Sequence, residues 1–330
     1  MAYTLAQHAK LEANPLTKFV LVNMLRYIKV MEILPFQNVN SLRTSALRWR
    51  VLPGVAFRDL NSDYTEDTSG DLEEVWESLY ILGGLVKFDR VLEDGGATIK
   101  DPKQLQMEMK LKSLALTWND YYINGDLATD PLGFQGLKKR ISLSPTRQKI
   151  SAGNSDSVGL NVTNSAANVN LFWTKMEQAY RYTNTGQVDG IFCNEDMLLG
   201  FGRSLRYINS AGGNFLDVTK DSFDRAVLNY QGTPIIDMGL KKDQTTEIMA
   251  NEADGAGSAA VAVSIYFAAF NMEQGIVGVQ KGPLQVIPDA KKDVATASQT
   301  LIEWVNGLAG FGSYGLARLW NILPPASWTS

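Results

Sequence analysis

The feature that most constrains this chain is one long amphipathic run from Pro102 to Ile123. Asp101-Pro102 supplies an N-cap and a first-turn proline, and Met107, Leu111, Leu114, Trp118 and Tyr121 recur at alternating four- and three-residue steps. Leu105, Met109 and Leu116 widen the apolar face, and Asn124-Gly125-Asp126 stops it. The spacing predicts a helix about 33 Å long. That is longer than most helices in globular domains, and such a helix serves as a structural spine.

Two further segments precede it. Leu16, Phe19, Val20, Val22, Leu25, Ile28, Met31 and Ile33 or Leu34 repeat at helical spacing between Asn14-Pro15 and Pro35, which predicts one amphipathic helix over 16–34. Near a terminus, it packs on its own core or clamps a neighbour. From Ser45 to Phe57 the period becomes two, with Leu47, Trp49 and Val51 on one side and Arg48 and Arg50 on the other. Val75 to Val91 reads as the returning strand, interrupted at Gly83-Gly84. The segment between them, DLNSDYTEDTSGDLEE, is too long and too acidic for a tight hairpin turn. The pattern predicts a long two-stranded arm with an acidic tip. An arm exposing Trp49, Val51, Trp76, Tyr80 and Leu82 is marginal alone and needs a partner surface.

Residues 126–168 are rich in turn formers. Helices are expected over 168–182 and 195–208, with a short buried strand, VDGIFCN, at 188–194 between them. Residues 225–240 read as two strands around a Gly-Thr-Pro turn. More strands are expected at Ala259 to Phe270, Ile276 to Val279, Leu284 to Ile287 and Thr296 to Phe311. There is no internal repeat and no regular β-α alternation, so the fold class is α+β rather than doubly wound.

Composition narrows the chemistry. Of 330 residues, 45% are hydrophobic and 20% charged, as in an ordinary folded domain, but there is one histidine, His8, and one cysteine, Cys193. A zinc site built from His and Cys within one subunit is excluded. A Ser-His-Asp or Cys-His pair would have to recruit His8, which has no nucleophile motif around it. No intrachain disulfide can form. The net charge of −4 argues against wholesale coating of nucleic acid or an anionic membrane. The N-terminus lacks the pattern of a signal peptide. The longest uncharged stretch, Gly255 to Met272, reads as a buried strand region rather than a membrane span.

Three motifs carry less than they suggest. GFGSYG at 310–315 has the G-x-G-x-x-G spacing, but the fifteen residues after it cannot supply the rest of a dinucleotide fold; its glycines are expected to serve turns or close packing. DLNSDYTEDTSG at 59–70 starts like a calcium loop but has Tyr64 for the turn glycine and Gly70 for the final glutamate. A looser cation site on Asp63, Glu66 and Asp67 stays open beside a solvated acidic loop. Cys193 reads as a small core residue. No catalytic, cofactor-binding or metal-ligating residue is assigned, and no cofactor is expected.

Charge is segregated. Asp59, Asp63, Glu66, Asp67, Asp71, Glu73, Glu74 and Glu77 fall in 59–77, where Arg and Lys are absent. Lys138, Lys139, Arg140, Arg147 and Lys149 fall in 133–155, where Asp and Glu are absent. Two blocks of opposite sign suggest complementarity between subunits, or a basic face toward an anion such as nucleic acid. Two solvated loops are the plainer reading.

The order of these parts resembles the tailed-phage major capsid proteins of the HK97-like fold. The residues that carry the resemblance are MAYTLAQHAKLEANPL, VLPGVAFRDLNSDYTEDT with YILGGLVKFDRVL, and LTWNDYYINGD with GFQGLKKRI. YQGTPIIDMG and IEWVNGLAGFGSYGLARL complete the set, which spans nearly the whole chain in order. The resemblance implies an N-arm at 1–43, an E-loop at 44–95 and a P-domain with the spine helix at 96–159. It further implies an A-domain at 160–285 and C-terminal strands at 286–330 that return to the P- and A-domains.

It also implies a structural protein, not an enzyme, found in the virion and assembled in the host cytoplasm. Hexamers and pentamers of this chain would form an icosahedral head around double-stranded DNA, held mostly without sequence specificity. Further partners would be a portal, a separate scaffold protein and cement or decoration proteins, with no membrane. In the E-loop, Trp49, Arg58, Asp63, Glu66, Asp67, Glu73 and Trp76 are the expected intersubunit contacts. Lys138, Lys139, Arg140, Arg147 and Lys149 would form an inner-face or intersubunit basic contact.

Relatives that cross-link covalently use an E-loop lysine, a P-domain asparagine and a glutamate. Here Glu303 occupies the comparable strand, but Thr296 stands near the asparagine position and residues 34–86 contain no lysine, so no isopeptide bond is expected. An encapsulin-like nanocompartment subunit is the near alternative. A metal-independent glycosidase or carbohydrate-binding protein is the alternative of another class.

Overall fold

The computed structural model describes residues 3–11, 15–67, 69–89, 102–153, 158–162, 165–209, 216–220, 226–258, 260–271, 274–288, 297–312 and 314–324. Asn14, Asp101 and Thr296 lie outside them. Among these residues the secondary structure is α+β, with seven α-helices and three separate sheets.

The first sheet is built on a fourteen-residue strand, β15 (Ala297–Gly310). One edge of β15 pairs antiparallel with β5 (Tyr80–Asp89), from Ala297↔Asp89 to Asn306↔Tyr80. The other edge takes β14 (Gln285–Pro288) and β13 (Ile276–Gln280), both antiparallel. Next to β13 runs β2 (Pro35–Asn38), parallel to it, and then β1 (Tyr3–Thr4).

The spine helix α4 (Pro102–Asn124) covers one face of this sheet, together with α1 (Leu5–Leu11), α2 (Pro15–Tyr27) and α3 (Val30–Ile33). Leu111, Leu114, Ala115, Trp118 and Tyr122 are buried, and Trp118 stacks on Tyr122 at 5.4 Å and meets Phe36 and Trp304. Leu105 and Met109 are exposed instead of widening the face. A helix turns 3.6 residues per turn, so the buried stripe drifts around the axis and passes from Trp118 to Tyr122. Buried indoles need acceptors. Trp118 Nε1 donates to Asn306 Oδ1 at 3.1 Å and Trp304 Nε1 to Gln280 Oε1 at 3.0 Å, while Gln280 Nε2 reaches Asn38 Oδ1 at 2.9 Å.

The single helix predicted over 16–34 is broken after Tyr27 and restarts at Val30. Ile28, Val30, Met31 and Leu34 are all buried. Residues two apart on one helix project about 200° apart, so one straight helix could not turn both Ile28 and Val30 to the same core. The predicted strand interruption at Gly83-Gly84 is also corrected: β5 runs through both glycines. The backbone of Ile302 occupies the space of a Gly83 Cβ, and the Lys110 side chain from α4 that of a Gly84 Cβ. The true break is Leu79, between β4 (Asp71–Ser78) and β5. Tyr80 and Leu82 pack against the first core rather than standing out on an arm.

The second sheet has eight strands. Its order is β6 (Lys149–Ser151), β16 (Leu316–Leu323), β12 (Val263–Ala268), β8 (Gly190–Cys193), β11 (Thr233–Asp237), β10 (Ala226–Tyr230) and β9 (Leu216–Lys220), and β7 (Leu160–Asn161) also pairs with β16. Both faces of its central strands β8 and β12 are buried. Phe192, Ile236 and Tyr266 point to the first core; Ile191, Cys193, Ile265 and Phe267 point to a second core under α6 (Ala166–Tyr182) and α7 (Glu195–Asn209). This is why GIFC at 190–193 and VSIYFA at 263–268 show no apolar–polar alternation. Ser165 Oγ caps α6 by accepting from the Asn168 N–H, and Asn194 Oδ1 accepts from the Met197 N–H at the start of α7.

The expected Gly-Thr-Pro turn is displaced. Gln231 and Gly232 form it, with φ of 50° and 83°, and Thr233 and Pro234 lie in β11. The GFGSYG glycines serve close packing: backbone of Gln274 fills the space where Cβ atoms of Gly312 and Gly315 would stand. The helix α5 (Leu137–Leu143) and strand β16 were not anticipated.

The third sheet is an isolated pair, β3 (Arg43–Val51) and β4, running antiparallel from Arg43↔Ser78 to Trp49↔Leu72. Its base rests on a small cluster at the back of the first sheet, where Ala46 and Val75 pack with Leu79, Val277, Val279, Ala309 and Phe311.

Candidate interaction surface

The register of β3 and β4 divides the arm into two faces. Thr44 with Glu77, Ala46 with Val75, and Arg48 with Glu73 share the half-buried face. Ser45 with Trp76, and Leu47 with Glu74, share the other, and Leu72 lies on it two residues before Glu74. On that second face Trp76 is 59% exposed, and Leu47 and Leu72 more so. Ala46 and Val75 turn toward the protein together with the charged Arg48, Glu73 and Glu77, while Leu47, Leu72 and Trp76 turn away beside Ser45 and Glu74. Arg48 Nη2 meets Glu73 Oε2 at 2.7 Å on the inward face.

Beyond the strands, residues 52–67 are exposed and carry Leu52, Val55, Phe57, Leu60 and Tyr64. Asp67 closes this loop. Its Oδ1 accepts from the Ser69 N–H at 2.9 Å and its Oδ2 from the Gly54 N–H at 2.7 Å. Hydrogen bonds from Ser69, then Gly54, hold its carboxyl below the usual range. Arg58 lies 5.4 Å over the Tyr64 ring and donates to Ser62 O. Asp63 and Glu66 are exposed. Among the described residues, no group of three or more His, Cys, Asp or Glu side chains is arranged to hold a metal ion.

The five basic residues are spread over α5 and the segment after it, and each meets a partner in the same chain. Arg140 Nη1 and Nη2 fork onto Glu77 at 2.5 and 3.1 Å, Nη2 also donates to Leu308 O, and Nε donates to Gln135 O. With side chains only 11% and 16% exposed, this pair joins one acidic-block residue to one basic-block residue at the base of the arm. Lys138 meets Glu252 at 2.6 Å and Lys139 meets Asp126 at 3.2 Å. Arg147 lies 4.2 Å above the Tyr182 ring, and Lys149 donates to Ser142 O. Glu252 also takes hydrogen bonds from Arg318 and Ser264. Burial pushes the Glu252 carboxyl up, but Arg318, then Lys138 and Ser264, outweigh it and hold it below its ordinary value. No periodicity signals pairs so distant in sequence, and Glu252, Asp126 and Arg318 escaped the sequence reading for that reason.

A second uncovered apolar surface lies on the first sheet, opposite α4. The register puts Ile81 beside Val305, Gly83 beside Glu303, and Leu85 and Ile287 on either side of Leu301. Ile81 is 67% exposed, and Leu85 and Ile287 are also exposed. Cys193 is buried, and burial pushes its thiol far up, as for an inert core residue. Among the described residues, no helix is long and apolar enough to cross a membrane.

The backbone as a whole resembles those of solved shell proteins. The encapsulin of the holo-SrpI complex from Synechococcus elongatus PCC 7942 superposes with a TM-score of 0.60 at 12% identity, over 89% of this chain and 87% of that one. The cyanophage A-1(L) capsid gives 0.58 at 13% identity, over 89% and 93%. The capsid of an empty GTA particle gives 0.56 at 15% identity, over 90% of each. The chain has an HK97-like shell-protein fold. No protein-family model matches the sequence, and no curated protein matches it significantly. At these identities the HK97-like likeness speaks for the backbone alone, and it includes both an encapsulin and viral capsids.

Proposed function

We propose that the chain is the subunit of a closed icosahedral shell in which the arm of one subunit lies over the exposed sheet face of the next. The carrying observation is the exposed outer face of the arm, where Leu47, Leu72 and Trp76 lie away from the core. A two-stranded ribbon of that kind is marginal without a covering surface. The face bearing Ile81, Leu85 and Ile287 is a second apolar patch on the same chain, so the contact is heterologous, and it forms rings where the rotation between neighbours closes. Hexamers and pentamers are the rings that an icosahedral shell requires. Each contact is weak, and the closed shell gains stability through multivalency.

In this reading the N-arm covers 1–43 and the P-domain 96–159 with the spine helix. The A-domain covers 160–285, and strands in 286–330 return to both. Within the E-loop segment 44–95, the freestanding part is the β3–β4 arm, and Trp49, Arg58, Asp63, Glu66, Asp67, Glu73 and Trp76 are its contact residues. The chain acts as a structural protein. Enclosed double-stranded DNA, with a portal, a separate scaffold and cement proteins, is the favoured content and company. A nanocompartment with protein cargo is the second reading, favoured by the likeness to the encapsulin.

Electron microscopy and nuclease protection of purified particles separate these readings. Nuclease-resistant DNA supports the phage head, co-purifying protein without DNA supports the nanocompartment, and a monomer with no particles refutes the shell. Trp76→Ala, or excision of residues 55–66 between the bonded Gly54 and Asp67, is expected to leave folded subunits that no longer close into shells.

A further inference from the structure

We propose that α5, only seven residues long, couples the orientation of the arm to the eight-stranded sheet, because its three consecutive cations are each committed to a different part of the chain. Successive helical residues project 100° apart, so Lys138, Lys139 and Arg140 fan out in three directions. Arg140 holds the arm through Glu77 and, in the same guanidinium, the carbonyl of Leu308 in β15. Lys139 holds the exit of the spine helix through Asp126. Lys138 holds Glu252, whose other oxygen is bound by Arg318 of β16 and Ser264 of β12. The helix cannot shift freely to serve one contact, because Leu137 and Ile141 are buried in the first core.

The arm meets the body at few other places. The Leu79 N–H bonds Leu42 O, the Gly310 N–H of β15 reaches Glu77 Oε1 at 3.4 Å, and Ala46 and Val75 touch the small apolar cluster. Among these contacts the Glu77–Arg140 fork is the ion pair, and it is nearly buried. A cleft of about 270 Å³, lined by Trp76, Tyr80, Arg140 and Leu143, lies beside it and leaves space for the arm to swing. Rotation of the arm away from Arg140 would strip Glu77 of its counter-charge. Rotation with it would pull α5, and through Lys138 the Glu252 node. Coupling of this kind is reciprocal. The inference concerns contacts within one chain and stands whether or not the chain builds a shell.

Amide hydrogen exchange on the full chain tests it, with each variant compared in the same assembly state. Glu77→Gln keeps the shape and removes the charge. It is expected to speed exchange about threefold or more in β3 and β4, and also in residues 138–143 and in β12, an effect of the size seen within coupled networks. Glu252→Gln is expected to act in reverse, speeding exchange in the arm. Arg140→Lys keeps the charge but loses the fork, and supplies the same readout should Glu77→Gln not fold. Glu73→Gln breaks the Arg48 pair within the arm and is expected to act on the arm alone. Changes confined to the mutated end in both directions overturn the coupling. So does a Glu73→Gln effect that spreads to β12, which would show general loosening and not transmission through α5.

Discussion

Glu252 shows how much one carboxylate can hold together. It sits among Lys138, Arg318 and Ser264, and its carboxyl is held below its ordinary value of 4.5. A depressed carboxylate stabilises the fold above its unfolded-state pKa, and that contribution is lost as pH falls through the folded value. The expected result is a loss of stability beginning below about pH 4.5 in denaturation profiles, with Glu252→Gln flattening that limb. At neutral pH the same substitution leaves Arg318 half-satisfied and is expected to cost about 1–3 kcal/mol. The partners were not legible beforehand. Lys138 and Glu252 were visible as charges, but local patterning says nothing of a pair 114 positions apart. Arg140 illustrates the same limit: its membership of a basic block was plain, its burial against Glu77 was not.

Elements were legible in proportion to their length and to how one-sided they are. The spine helix was expected from Pro102 to Ile123 and runs from Pro102 to Asn124, because proline opens it and Asn-Gly closes it. Helices α6 and α7 were also legible from their apolar spacing, although the cap at Ser165 and the two residues after it were not read. Glycines misled in one place and were read correctly in another. Gly83-Gly84 looked like a break but let β5 lie close to α4 and β15, whereas GFGSYG looked like a nucleotide loop only by spacing. Gly312→Ala would push a methyl group into the backbone of Gln274 and is expected to lower unfolding free energy by about 1–3 kcal/mol in urea titrations. Since α5 is two turns long within a turn-rich stretch, its apolar residues Leu137 and Ile141 were too few to show a period.

At the scale of the whole molecule, the exposed apolar residues of the arm and of the first sheet are the surfaces that the proposed shell would bury. The covalent option is expected to be absent: particles boiled in SDS should run as single chains, since residues 34–86 have no lysine to reach Glu303. A ladder of multimers on the gel would sink that expectation. The α+β class, the spine, the arm and the poverty of catalytic side chains followed from local patterning, because periodicity and composition act over a few residues at a time. Three things came from long-range packing: which arm face turns outward, how α5 spends its charges, and that one eight-stranded sheet serves two cores. Each depends on contacts between residues tens to hundreds of positions apart, and no local pattern encodes those distances.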